Sequence, residues 1–139
     1  MVCAALLAFP AIVMAQGDAT FATRNMTVDT ALVAAQAALK KCRDSGWQAA
    51  VAVVDRSGAV QVLLRDRYAG PHTPRTASGK AWTAVSFRTN TGVLVELTQP
   101  GKPQSGLRNL PRAVILGGGM IIEGGGQMLG AIGVSGAPG

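Results

Sequence analysis

His72 is the one histidine of the sequence and the residue with the most specific chemistry. Neutral imidazole is a common metal ligand, so His72 could bind a metal ion such as iron. It precedes Thr73 and Pro74, a pair typical of a helix start, where free amide groups and the helix dipole attract carboxylates. The alternative is a loop histidine that caps or packs locally. We therefore take His72 and the adjacent Thr73 as candidate ligand-binding residues.

Two basic residues follow His72 on the same predicted helix. Arg75 and Lys80 could each pair with an anionic ligand through charge-assisted hydrogen bonds. The alternative for both is an ordinary solvated charge. Met120 and Met128 are softer candidate metal ligands, although core packing explains them better.

The sequence lacks the motifs of several common enzyme and nucleotide-binding classes. The glycine triplets at 117–119 and 124–126 lack the Gly-Lys-Ser/Thr ending of a phosphate-binding loop, and tight turns or a close subunit approach explain them better. The acidic residues form no paired-carboxylate motif, and no nucleophile elbow accompanies the single histidine. We find no complete catalytic motif, which favours a binding protein and leaves enzymatic activity open.

Composition favours one compact domain that attracts anions. The 139 residues fit one domain, and 48% hydrophobic residues suffice for a packed core. Only 4% are aromatic, which predicts thin, closely packed elements. Thirteen Lys and Arg against seven Asp and Glu give a net charge of +6. The basic residues are scattered and not interleaved with aromatics, so we do not expect nucleic-acid binding.

The N-terminus resembles an export signal. Residues 2–14 are almost entirely apolar, yet this run is shorter than the roughly 20 residues that span a bilayer. A small-residue cleavage pattern ends at Ala15, and the sequence then becomes polar. We predict a signal peptide at 1–15, a periplasmic or secreted protein, and no stable membrane span after cleavage. Cys42 would then be the one remaining cysteine, a small core residue rather than half of a disulfide.

The spacing of apolar residues and the positions of capping and turn residues predict the helices and strands that position these residues. After a flexible lead-in at 16–26, the folded domain is predicted at 27–139. Thr27 caps a first helix that ends at Gly46, and its predicted buried stripe is Ala31, Leu32, Ala35, Leu39 and Cys42. A hairpin follows, with strands at 48–54 and 59–65.

The second half of the chain returns to helices and then to strands. Thr73 is predicted to cap a second helix, with Pro74 at its first position and Trp82 facing the core. A third helix is predicted at 91–97 and an irregular loop at 99–112. The last predicted strands are 113–116, 119–123 and 127–135. This order favours helices in two groups around a mainly antiparallel, five-stranded sheet.

Five stretches, in this order, resemble the GlcG/HbpS-like family. They are VAVVDRSG at 51–58, AGPHT at 69–73, KAWTA at 80–84, LGGG at 116–119 and GAIGVSG at 130–136. The resemblance covers 27–139 and implies a profilin-like α/β fold and homo-oligomers. Family members usually continue into an acidic stretch and a final helix, so we expect this C-terminal helix to be missing here.

The same resemblance implies haem, or another tetrapyrrole, as the ligand. It strengthens His72 as an iron ligand and places Lys80 within a matched motif. Some relatives are linked to haem or iron sensing, and a related module is appended to corrinoid adenosyltransferases. We expect an exported haem-binding protein for storage, scavenging or sensing, with its pocket near residues 66–73. The alternatives are an enzyme that degrades haem or acts on a small organic acid, and a ligand-free oligomeric scaffold.

Overall fold

A computed structural model describes residues 19–138, which form helices on both faces of one sheet. The predicted signal peptide lies outside these residues. The described elements are α1 (Val28–Asp44), β1 (Ala50–Asp55), β2 (Val60–Arg65), α2 (Thr73–Phe87), α3 (Thr91–Leu97), a 3₁₀ helix (Ser105–Asn109), β3 (Gly119–Gly124) and β4 (Gln127–Ser135). This order confirms the predicted helices and the two predicted hairpins.

The sheet has the strand order β2-β1-β4-β3, and every neighbouring pair is antiparallel. The mixed α/β fold with an antiparallel sheet is therefore confirmed. Within residues 19–138 the sheet has four strands, so the fifth strand predicted at 113–116 is wrong. The backbone turns at Arg112, whose φ is +71°, and the Val114 amide donates to the Thr83 hydroxyl at 2.8 Å instead of to a strand.

The turn between β3 and β4 is the predicted glycine turn. Gly125 and Gly126 have φ values of +58° and +74°, and Gly124 pairs with Gln127. A two-residue hairpin with two left-handed positions favours glycine, because glycine has no Cβ to clash there. The glycine triplet at 124–126 therefore serves the hairpin.

Helix α1 covers one face of the sheet. The Thr27 hydroxyl accepts the Thr30 amide at 3.2 Å, which confirms the predicted N-cap. Ala31, Ala35 and Leu39 are buried with Val51 and Val53 of β1. Cys42 is partly buried in the same cluster, and burial raises the pKa of its thiol, with the Asp66 carboxylate adding to the effect. This cysteine is therefore a small packing residue of the core, as predicted.

Helix α2 covers the opposite face and lies very close to it. The alternate β1 residues Ala50 and Ala52 are buried with Ala77 of α2. At Gly133 of β4, an added Cβ would lie 2.1 Å from the Ala77 carbonyl oxygen. The small residues let the helix backbone approach the strands, which confirms the thin packing that the low aromatic content predicted.

The start of α2 differs from the prediction. His72 occupies the N-cap position and makes no side-chain cap bond, whereas Thr73 is the first helical residue. The Thr73 hydroxyl donates to the Gly70 carbonyl at 2.7 Å, and the Thr76 amide donates to the His72 carbonyl instead of to Thr73. The predicted Thr73 cap is therefore wrong, because this side chain turns back to hold the preceding loop.

Candidate functional site

A buried carboxylate fixes the loop that precedes α2. Asp66 is only 4% exposed. Its carboxylate accepts hydrogen bonds from Nε of Arg43 at 2.7 Å and from the Ala49 amide at 3.2 Å. Charge-assisted bonds of this kind are stronger than neutral ones, so the loop is anchored at its first residue to both α1 and the start of β1.

His72 lies at the other end of this loop and is exposed to solvent. Its ring lies beside Gly70, where an added Cβ would come within 2.8 Å of Cε1. The imidazole therefore packs locally against a residue with no side chain and remains accessible to a ligand. Both interpretations of this histidine, local packing and ligation, are compatible with its position.

The first turn of α2 offers fewer free amides than a typical helix start. The Thr73 amide donates to Gly70 and the Thr76 amide to His72, both at 3.0 Å. Pro74 has no N–H. Within the described residues, only the amide of Arg75 in this turn has no protein partner. The expected attraction of carboxylates to this helix start must therefore come mainly from side chains.

Thr73 and Lys80 face the interior of the protein. Thr73 is 1% exposed and Lys80 is 6% exposed. The Lys80 ammonium group donates to the Val134 carbonyl of β4 at 2.9 Å, and burial lowers the pKa of this lysine. The structure thus separates these two residues from the exposed His72 and Arg75, and their role towards a ligand stays a prediction.

Arg75 lines a cleft of about 400 Å³ beside α2. The other lining residues are Gly58, Val60, Ser78, Gly79, Trp82, Arg112, Ala113 and Val114. Arg75, Ser78, Gly79 and Trp82 recur at spacings of three and four, which places them on one face of the helix. The guanidinium carbon of Arg112 lies 4.8 Å from the centre of the Trp82 ring, within cation–π range.

The sequence predicts Trp82 in the core and contains no signal that marks Arg112 as a site residue. In the structure Trp82 is half-buried and forms part of the cleft wall. The helical spacing from Arg75 could have indicated that Trp82 shares its face. The position of Arg112 depends on the path of the loop before it, for which the sequence carries no comparable signal.

No three His, Cys, Asp or Glu side chains among residues 19–138 are grouped closely enough to hold a metal ion. Among the same residues, no helix is both long enough and apolar enough to cross a membrane.

The chain matches a family model over residues 26–139, and the description of that family is "Haem degrading protein HbpS-like". A 15.0 kDa protein of Citrobacter freundii is 33% identical over 114 residues, covering 81% of this chain and 80% of that protein. The corrinoid adenosyltransferase PduO of the same organism is 32% identical over 103 residues, which are 73% of this chain. That match spans only 31% of the adenosyltransferase.

Solved structures show the same fold. A double mutant of HbpS from Streptomyces reticuli superposes with a TM-score of 0.80 at 35% identity, covering 93% of this chain and 86% of that one. A complex named PduOC with haem superposes with a TM-score of 0.74 at 29% identity, covering 81% of this chain and 83% of that one.

Proposed function

This chain belongs to the HbpS-like family of haem-degrading proteins, and we propose that it binds haem beside the start of α2. The observation that carries the proposal is the exposed His72 imidazole, at the end of a loop that buried Asp66 anchors. The haem named in the PduOC complex supports the choice of ligand. Binding would serve storage, scavenging or sensing.

The side chains at this position fit the chemistry of haem. The imidazole of His72 would provide the nitrogen lone pair that holds haem iron. Arg75 lies three residues further along the helix, is exposed, and carries a permanent positive charge that can pair with a haem propionate. Bound haem would supply an iron centre for ligand exchange or electron transfer, and the protein residues would hold and orient it.

Haemin titration of the purified protein, followed by absorbance, tests this proposal. We expect a Soret band that shifts and saturates at a fixed ratio of haemin to protein. Gel filtration should then recover the haem with the protein. A folded protein that leaves the spectrum of free haemin unchanged would contradict haem binding.

Haem degradation is a second candidate function, and the description of the family favours it. Incubation of the haem-loaded protein with an external reductant in air, where O2 is the oxidant that opens the porphyrin ring, should then destroy the Soret band and release a linear tetrapyrrole and iron. A Soret band that persists under reductant, with no such product, would leave binding as the function. The matched control is haemin with reductant and no protein.

We also propose that the protein is exported and cleaved after Ala15. The support is the apolar run at 2–14 and the small-residue pattern that follows it. Mass spectrometry of the protein from its native host should find a mature N-terminus at Gln16. A protein that retains residues 1–15 and fractionates with the cytoplasm would overturn export.

A further inference from the structure

We propose that the cleft beside α2 is a binding site for a planar aromatic molecule that carries carboxylate groups. In this site Arg75 and Arg112 pair with the carboxylates, and the Trp82 ring contacts the aromatic plane. The inference goes beyond haem ligation by His72, because no iron takes part in it. Arg75 is the one residue that the two proposals share.

The charges of the cleft call for an anion. Two guanidinium groups line it, and no acidic side chain does. Among residues 19–138 the ion pairs are Lys40 with Asp44 and Arg43 with Asp66, so neither cleft arginine is neutralised there. Neither guanidinium donates a side-chain hydrogen bond to another described residue beyond the contact of Arg112 with Trp82. Guanidinium groups without a protein partner are suited to carboxylates, which they bind with two parallel hydrogen bonds.

The walls of the cleft call for a flat, apolar body. The Trp82 ring lies beside Gly58, contacts the Arg112 guanidinium and lines the cleft. Val60 and Val114 add aliphatic surface to the same cleft. Because guanidinium groups stack on aromatic rings and still present their edge donors, Arg112 can contact Trp82 and a carboxylate at once.

The backbone around the cleft is specialised for this arrangement. Arg112 has a φ of +71°, a conformation that residues with a Cβ rarely adopt, and strain of this kind is concentrated at functional sites. At Gly79 an added Cβ would lie 2.4 Å from Cγ2 of Val114, and at Gly58 it would lie 2.7 Å from Cδ1 of Trp82. The absence of a side chain at the two glycines therefore leaves room for Val114 and Trp82 to line the cleft. The volume of about 400 Å³ lies in the usual range for small-molecule sites.

An aromatic carboxylate could be a free small acid or the propionate edge of a porphyrin. Phthalate represents the first source, and metal-free protoporphyrin IX represents the second. The dimethyl ester of each is a matched control that keeps the rings and removes the charges. Because none of these probes contains iron, the result is separate from the test of haem ligation.

The readout is the fluorescence of Trp82 in a Trp47→Phe variant, in which Trp82 is the one remaining tryptophan. We expect saturable quenching by phthalate, by protoporphyrin IX or by both. The esters should bind at least tenfold more weakly than the acids. Whichever acid binds identifies the source of the carboxylate. Arg75→Gln and Arg112→Gln should each weaken binding about tenfold. Lys41→Gln removes one charge from α1, on the opposite face of the sheet, and should change nothing.

Three outcomes would overturn the proposal. The first is the absence of saturable quenching by both acids in a protein whose circular dichroism shows it to be folded. The second is equal binding of acids and esters. The third is a loss of affinity in the Lys41→Gln variant as large as in the two cleft-arginine variants. Such a loss would show that binding depends on the net charge of the protein and not on the cleft arginines.

Discussion

At the scale of single residues, Asp66 is the side chain on which the candidate haem site depends most. It is buried, and it joins Arg43 of α1 to the Ala49 amide while the rest of its loop leads to His72. Replacing Asp66 with Asn removes the charge that these donors face. We expect Asp66→Asn to lower the free energy of unfolding by about 2 kcal/mol, measured by urea denaturation.

Asp44 provides the matched control for this substitution. It pairs with Lys40 at 2.6 Å, but both side chains are more than half exposed. Exposed pairs contribute little, so Asp44→Asn should change the free energy of unfolding by less than about 0.5 kcal/mol. Equal effects of the two substitutions would contradict a special role for Asp66.

Lys80 leads to a prediction about pH. Burial lowers its pKa below the ordinary value of 10.5, so the folded protein releases this proton at a lower pH than the unfolded chain. Between the two pKa values the unfolded chain binds more protons, and the free energy of unfolding therefore rises with pH. The stability of the wild type relative to Lys80→Met should thus increase as the pH rises from the lowered pKa towards 10.5. A stability difference that does not change with pH would contradict the burial of a charged lysine.

The sequence could indicate some site residues and not others. His72 and Arg75 follow from residue type and from their place at a helix start, and both are exposed there. The burial of Lys80 could not be predicted, because its helical position does not show that the Val134 carbonyl of β4 accepts a hydrogen bond from its ammonium group. Arg112 was missed because its contact with Trp82 is made across a long irregular connection.

At the scale of elements, the close contact of α2 with β4 depends on Gly133. A Cβ at this position would lie 2.1 Å from the Ala77 carbonyl oxygen and 2.7 Å from the Ala81 amide nitrogen. Gly133→Ala must therefore push the helix away from the sheet. We expect a loss of about 3 kcal/mol in the free energy of unfolding, the upper part of the usual range for overpacking.

Gly92 of α3 is the control, because an added Cβ there meets nothing within 4 Å. Gly92→Ala should raise the free energy of unfolding by about 0.5 kcal/mol through helix propensity. Thermal or urea unfolding of both variants measures the difference. A Gly133→Ala protein as stable as the wild type would show that α2 can move without cost.

Most elements could be predicted because local signals and packing agree for them. The Thr27 cap and the glycine turn at 125 and 126 depend only on residues close in sequence, and both are present as predicted. The strand at 113–116 was predicted from apolar residues alone. This strand does not form, because the Val114 amide donates to the hydroxyl of Thr83 in α2, a residue that is distant in sequence.

At the scale of the whole molecule, the predicted homo-oligomer stays a prediction. One apolar area gives it a physical basis: Met120 of β3 is 56% exposed, and its partner Ile132 is only partly buried. Light scattering coupled to gel filtration should find a mass of at least two chains. A monomer at micromolar concentration would contradict the oligomer and leave the haem proposal unchanged.

The central claim is that His72 binds haem iron, and the most direct test compares Soret spectra of the wild type and His72→Ala after equal haemin loading. Because the side chain is exposed and makes no cap bond, the variant should fold normally, with Thr76→Ala as a control on the same helix. We predict that the Soret band of His72→Ala is lost or clearly shifted while that of Thr76→Ala matches the wild type. A His72→Ala protein that binds haemin with the wild-type spectrum would contradict the claim.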